Sequence, residues 1–132
     1  MKILVTYAFD EEVLPFEIKN NQLRFLKTGM GKVLSTFNLT KAICNDKYDL
    51  VLNVGTAGTL NHNVGDIFVC RRFIDRDMEK ITLPKVCSDI SFPDKVGIEL
   101  IDNYNKTGVC NTGDSFVTEV GHFNGDVIDM EA

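Results

Sequence analysis

The chain has 132 residues, enough for one globular core, and its formal net charge of −5 comes with scattered Lys and Arg, which excludes the clustered basic face that nucleic-acid binding requires. A hydrophobic fraction of 44% and a charged fraction of 25% are those of a folded soluble chain. No apolar run approaches the roughly 20 residues that cross a bilayer, so no membrane-spanning role is expected.

Lys2 to Ala8 (KILVTYA) is nearly all apolar and branched, as in a strand buried on both faces, and it runs straight into Asp10-Glu11-Glu12. No cleavage-site pattern follows, so it reads as a first strand rather than a signal peptide, and a cytoplasmic location is expected. Gln22 to Lys27 predicts an amphipathic strand leading into the turn Thr28-Gly29-Met30-Gly31-Lys32, and Val33 to Asp46 a helix with an apolar stripe. Asp49 to Val54 predicts a second fully apolar strand, entering the small-residue loop Gly55-Thr56-Ala57-Gly58-Thr59. Gly65-Asp66 marks a turn before a strand that starts over Ile67 to Cys70. Asp75 to Asp94, with Pro84 and Pro93, reads as loop and surface; Val96 to Asn105 suggests a helix, Gly108 to Asn111 a strand, and Val127 to Met130 a last strand. Alternation of this kind predicts one α/β domain over 1–132, with candidate sites where loops leave the carboxyl ends of parallel strands. Glu11 and Glu12, 55–58, 113–117 and Met130-Glu131 fall at such places.

Gly29-Met30-Gly31 lacks the third glycine of a dinucleotide fingerprint, since position 34 is Leu34, and Leu26 and Val33 spoil a phosphate loop around Gly31-Lys32. A plain strand-to-helix turn is the better reading. The four cysteines, Cys44, Cys70, Cys87 and Cys110, are too far apart in sequence for the close pairs of zinc or redox sites and are expected to be free, buried thiols. His62 and His122 sit in polar loops and read as exposed, so no metal site and no cofactor are expected. Asp10-Glu11-Glu12 alone would be a solvated helix start. A second carboxylate, Glu131, directly after an apolar strand shifts the balance, because a carboxylate at the end of a buried strand is either paired or in use.

Taken in order, the motifs resemble the purine nucleosidase and nucleoside phosphorylase superfamily, nearest to the 5'-methylthioadenosine/S-adenosylhomocysteine nucleosidases. Ala8-Phe9-Asp10-Glu11-Glu12-Val13 resembles the family's N-terminal acidic segment, with Phe9 in place of the usual Met, and Thr28 to Val33 its glycine-apolar-glycine-lysine turn. Asn53-Val54-Gly55-Thr56-Ala57-Gly58 resembles its Gly-Ser-Ala-Gly loop with Thr for Ser. Val64-Gly65-Asp66-Ile67, Asp75-Arg76-Asp77-Met78, Thr112 to Val117 and Val127 to Ala132 resemble later motifs in the same order.

The resemblance implies a three-layer nucleoside phosphorylase-like α/β fold with a central mixed sheet. It implies hydrolysis of an adenine nucleoside such as 5'-methylthioadenosine or S-adenosylhomocysteine, in purine and methionine salvage. Glu12 matches the carboxylate that activates water, Glu131 the one that holds the ribose hydroxyls, and Met130 the side chain packed on the sugar. Phe116 and Val117 match the adenine site, and Phe9, Met30, Thr56, Ala57 and Gly58 the surroundings of ribose and water. A homodimer is also implied. The phosphorylases' arginines have no counterpart in Tyr7 to Phe16 or Leu50 to Gly58, which favours water over phosphate as nucleophile. The stretch between Met78 and Gly108 is shorter than the family's, and the Asp that protonates the departing adenine would fall beyond Ala132, as would the last strand and helices. The expectation is therefore a fold truncated at the C-terminus, or a reduced relative; phosphorolysis of another nucleoside and nucleoside binding without catalysis stay open as alternatives.

Overall fold

The computed structural model describes residues 1–13, 16–118 and 123–132, which form two compact units: Met1–Thr56 with Glu131, and Ala57–Met130 with Ala132. The first unit is a three-stranded sheet of β1 (Lys2–Tyr7), β2 (Gln22–Lys27) and β3 (Leu50–Asn53), in the order β2-β1-β3, with both pairings parallel. The middle strand is the apolar one. Ile3, Leu4 and Val5 are at most 2% exposed, each burial contributing roughly 1.5–3 kcal/mol, so this run is the unit's core. Thr6 adds a polar tie to β3 through a 2.9 Å hydrogen bond from its hydroxyl to Asn53 Oδ1.

Helix α1 (Lys32–Asn45) links β2 to β3. The turn before it matches the plain strand-to-helix reading: Gly29 and Gly31 have φ of +80° and +91°, a region costly for any residue with a Cβ. A Cβ on Gly29 would also lie 2.5 Å from Leu34 Cδ2. Thr28 anchors the turn, donating from its amide and hydroxyl to Tyr7 O at 2.8 and 3.1 Å. The expected apolar stripe of α1 does not face a core. Val33, Leu34, Phe37 and Ile43 are exposed and the helix buries only Ser35, so the helix forms as expected but its apolar residues are left uncovered.

The second unit is a four-stranded mixed sheet of β4 (Val69–Asp75), β5 (Asp89–Ser91), β6 (Thr107–Thr112) and β7 (Val127–Asp129), ordered β5-β4-β6-β7. β4, β6 and β7 are parallel and β5 is antiparallel to β4. Two expectations are corrected here. Asp75 to Asp94 is not all loop: β5 pairs with β4 there, closed by an Arg72–Asp89 ion pair and an edge-on Phe73–Phe92 ring contact at 5.6 Å. β4 starts at Val69, within the expected 67–70, and runs on to Asp75, its register against β6 shifting between Cys70 and Arg72, where the Arg pair interrupts the apolar pattern. The expected helix over Val96 to Asn105 shrinks to α2 (Glu99–Asp102). Gly97 at φ +78° breaks its start, and the Asp102 carboxylate turns back to accept the Val96 and Gly97 amides, both at 2.8 Å.

All four cysteines are free, as expected, but only Cys110 is buried; Cys44 and Cys87 are exposed and Cys70 is half-buried. Burial pushes the Cys70 thiol up to about 11 and the Cys110 thiol further, so both are inert at neutral pH. No helix among the described residues is long and apolar enough to cross a membrane.

Candidate functional site

All three strands of the first unit are parallel, so their carboxyl ends open on one edge of the sheet, the position where α/β folds place ligands. β1 ends into Ala8 and a single 3-10 turn over Asp10–Glu12, β2 into the 28–31 turn, and β3 into Gly55 and Thr56.

The three adjacent acids of the 3-10 turn have different fates. Asp10 pairs with Lys27 at 2.6 Å in the open, and Glu11 is exposed. Glu12 turns inward and is saturated with donors. Its Oε1 accepts the Thr56 amide at 3.0 Å and the Thr56 hydroxyl at 2.7 Å, and its Oε2 accepts the Ala8 and Phe9 amides at 3.1 Å each. Partial burial pushes this carboxyl up, but the Thr56, Phe9 and Ala8 hydrogen bonds together outweigh it and hold Glu12 below the ordinary glutamate value. Gly55 lies against the carboxylate, where an added Cβ would stand 3.4 Å from Oε1.

Glu131 reaches the same edge. Its Oε1 accepts the Gly31 amide at 3.1 Å, which sets a carboxylate on the N-terminus of α1, where unpaired amides and the helix dipole favour negative charge. Met30 directly precedes Gly31 and Phe9 lies three residues before Glu12; they are 51% and 44% exposed.

The second unit gathers the other predicted residues at the carboxyl ends of β6 and β7. Ala57 precedes Gly58, which exchanges two 2.8 Å backbone hydrogen bonds with Ile128 in β7, two residues before Met130. Phe116 and Val117 follow β6 and are 77% and 37% exposed, with the Phe116 ring standing clear of its own backbone anchorage. That anchorage comes from Arg76, a residue the sequence reading left without a role inside the Asp-x-Asp segment. Arg76 is 7% exposed, and its guanidinium donates to four backbone carbonyls: Asn111 O at 3.1 Å, Asp129 O and Gly113 O at 2.9 Å, and Ser115 O. No signal in the sequence marks it, because its partners are main-chain carbonyls.

His62 corrects an expectation of exposure. It is half-buried, with Nε2 3.2 Å from Asp126 Oδ1 and its ring 4.6 Å from that of Phe68. Asp126 also accepts the Val109 amide at 2.8 Å, so the pair fastens the 59–68 segment to the sheet. His122 lies outside the described residues. Two open cavities in this unit, of about 440 and 580 Å³, are lined by residues such as Arg72, Asp89, Asp94, Lys95 and Asp126, and neither includes a predicted site residue. Among the described residues no group of His, Cys, Asp and Glu has the arrangement of a metal site.

This arrangement of strands has the fold of the nucleoside phosphorylase-like α/β enzymes of known structure. It superposes on Campylobacter jejuni 5'-methylthioadenosine/S-adenosyl homocysteine nucleosidase with a TM-score of 0.79 at 22% identity, over 100% of this chain and 76% of that one. Helicobacter pylori futalosine hydrolase gives a TM-score of 0.79 at 21% identity, over 99% and 75% of the two chains. In sequence, the 5'-methylthioadenosine/S-adenosylhomocysteine nucleosidase of Exiguobacterium sp. (strain ATCC BAA-1283 / AT1b) is 29% identical over 144 aligned positions. That alignment takes in 86% of this chain but 59% of the relative. Residues 11–132 match the phosphorylase superfamily, and the chain belongs to it.

Proposed function

We propose that this chain hydrolyses the N-glycosidic bond of an adenine nucleoside with an uncharged 5' thio-substituent, such as 5'-methylthioadenosine, or of S-adenosylhomocysteine. Glu12 takes the proton of the attacking water, the departing nitrogen of adenine takes up a proton from solvent, Glu131 holds the ribose hydroxyls and Met130 packs on the sugar. Phe116 and Val117 take the base, and Phe9, Met30, Thr56, Ala57 and Gly58 line the ribose and water. No cofactor enters the reaction.

The observation that carries this reading is the state of Glu12, a carboxylate held ionised by four convergent donors at the carboxyl edge of a parallel sheet. Cleaving the bond builds positive charge on the sugar and requires water to lose a proton as it adds, and fixed carboxylates favour both changes in the transition state more than in the ground state. The same geometry supports water over phosphate. An anion would need the Thr56, Ala8 and Phe9 donors that Glu12 already occupies, and no Lys or Arg lies in 50–58 to replace them. The similarity to the Exiguobacterium 5'-methylthioadenosine/S-adenosylhomocysteine nucleosidase supports this assignment.

The deciding experiment measures free adenine from 5'-methylthioadenosine and from S-adenosylhomocysteine, with and without phosphate, and with futalosine as competing substrate. Phosphate-independent adenine release is the expected result. Turnover that rises with phosphate makes the chain a phosphorylase, preferential cleavage of futalosine reassigns the substrate, and adenine binding without release overturns the hydrolase reading.

The reading extends to a cytoplasmic homodimer in purine and methionine salvage. The exposed Val33, Leu34 and Phe37 on α1 form an apolar face of the kind that a second copy covers. Light scattering is expected to show a dimer that Phe37→Asp converts to monomer; an unchanged mass for the variant assigns the contact elsewhere.

A further inference from the structure

Arg76 follows β4 directly, and its guanidinium lies among the carboxyl ends of the other two parallel strands of its sheet. Its four terminal N–H groups are all spent on main-chain carbonyls: Asn111 O at the end of β6, Gly113 O and Ser115 O in the loop beyond it, and Asp129 O at the end of β7. The backbone of the same segment completes the attachment, with the Arg76 amide donating to Thr112 O at 2.9 Å and Asp77 Oδ2 accepting the Asp114 amide at 2.8 Å. Gly113 is fitted to this side chain, because an added Cβ would lie 2.6 Å from Arg76 Cγ and Nε and 2.7 Å from Cζ.

We propose that Arg76 is a positioning residue for base recognition, one planar cation that sets the loop carrying Phe116 and Val117 in register with the end of β7 that carries Met130. The assignment rests on the nucleosidase reading for what is bound, and on the structure alone for what is held. Of the tied carbonyls, Ser115 O immediately precedes Phe116 and Asp129 O immediately precedes Met130, so the clamp ends one residue short of each predicted substrate contact. The Phe116 ring is left 77% exposed on a fixed backbone, as a stacking platform must be. A planar fork with fixed donor directions suits this task, and a lysine, whose three donors sit on one nitrogen, cannot bridge four separate acceptors.

The test compares wild type with Arg76→Lys and with Gly113→Ala, the second of which displaces the guanidinium from the loop side without removing its charge. Two readouts are taken: backbone hydrogen exchange, and KM and kcat for adenine release from 5'-methylthioadenosine. Both variants are expected to speed exchange of the amides of 114–117 by about tenfold while those of β1 stay protected. KM is expected to rise about tenfold, with kcat held within about threefold, because misplacing a binding platform weakens binding before it touches the chemistry. Unchanged exchange at 114–117, or acceleration spread equally through β1, overturns the assignment, as does a fall in kcat at constant KM. If wild type releases no adenine, the nucleosidase reading fails, and the exchange experiment still decides by itself whether Arg76 holds the loop.

Discussion

Glu12→Gln is expected to reduce adenine release by about 10²- to 10⁴-fold, the range a positioned general base contributes, with adenine binding retained. The amide cannot take the water's proton, and the substitution also disturbs the cradle. One end of the glutamine must present N–H groups to donors, either to Thr56 or to the Ala8 and Phe9 amides, and a donor facing a donor costs about 1–3 kcal/mol. Thr56→Val separates the two effects, since it removes only the hydroxyl that donates to Oε1 at 2.7 Å and leaves the carboxylate in place. The hydrogen bonds that outweigh burial place the folded Glu12 below its unfolded value, so Glu12 stays ionised, and its stabilising contribution stays complete, down to the ordinary glutamate range. Both are lost as pH falls through the depressed folded value. The acid limb of kcat/KM is therefore expected below the ordinary glutamate range in wild type and at higher pH in Thr56→Val. Full activity of Glu12→Gln, or an acid limb that ignores Thr56, would remove Glu12 from the role of base.

The parts of this molecule legible in its sequence are those where a local pattern has one physical solution. Ile3, Leu4 and Val5 could only be a strand covered on both faces, and Gly29 and Gly31 mark a turn with positive φ, as found. What escaped depends on partners distant in the chain. β5 is three residues long, too short to show alternation, and exists because Phe73 and Arg72 in β4 supply the other half of each contact. The helix expected after Val96 fails because the Asp102 side chain takes up backbone amides before α2 begins, a competition that hydrophobic periodicity does not register. Arg76 is the clearest case: its acceptors are carbonyls 35 to 53 positions away, and a main-chain acceptor leaves no mark in the sequence. The sequence makes Glu12 a candidate only in company. Three consecutive acids gave no reason to choose one, and the structure distinguishes them because Thr56 lies opposite the third.

Replacing Glu131 by Ala is expected to lower kcat/KM by about 10²- to 10³-fold, mainly through KM, on the reading that this carboxylate holds the ribose hydroxyls. Hydrogen bonds to a charged acceptor contribute roughly 1.5–3 kcal/mol each, and two hydroxyls on one carboxylate give an effect of that size. A loss alone would not prove the contact, because Glu131 also caps α1: without its Oε1 the Gly31 amide loses a partner at 3.1 Å and the helix N-terminus loses a favourable charge, at a cost of about 0.5–2 kcal/mol in stability. The decisive comparison therefore changes the ligand as well as the protein. Binding of a 2',3'-dideoxy analogue should be much weaker than that of the parent nucleoside in wild type, and nearly equal to it in Glu131→Ala, because a carboxylate already absent cannot be missed twice. If the variant still discriminates against the dideoxy analogue as strongly as wild type does, the ribose is held by another group, and Glu131 serves the helix alone.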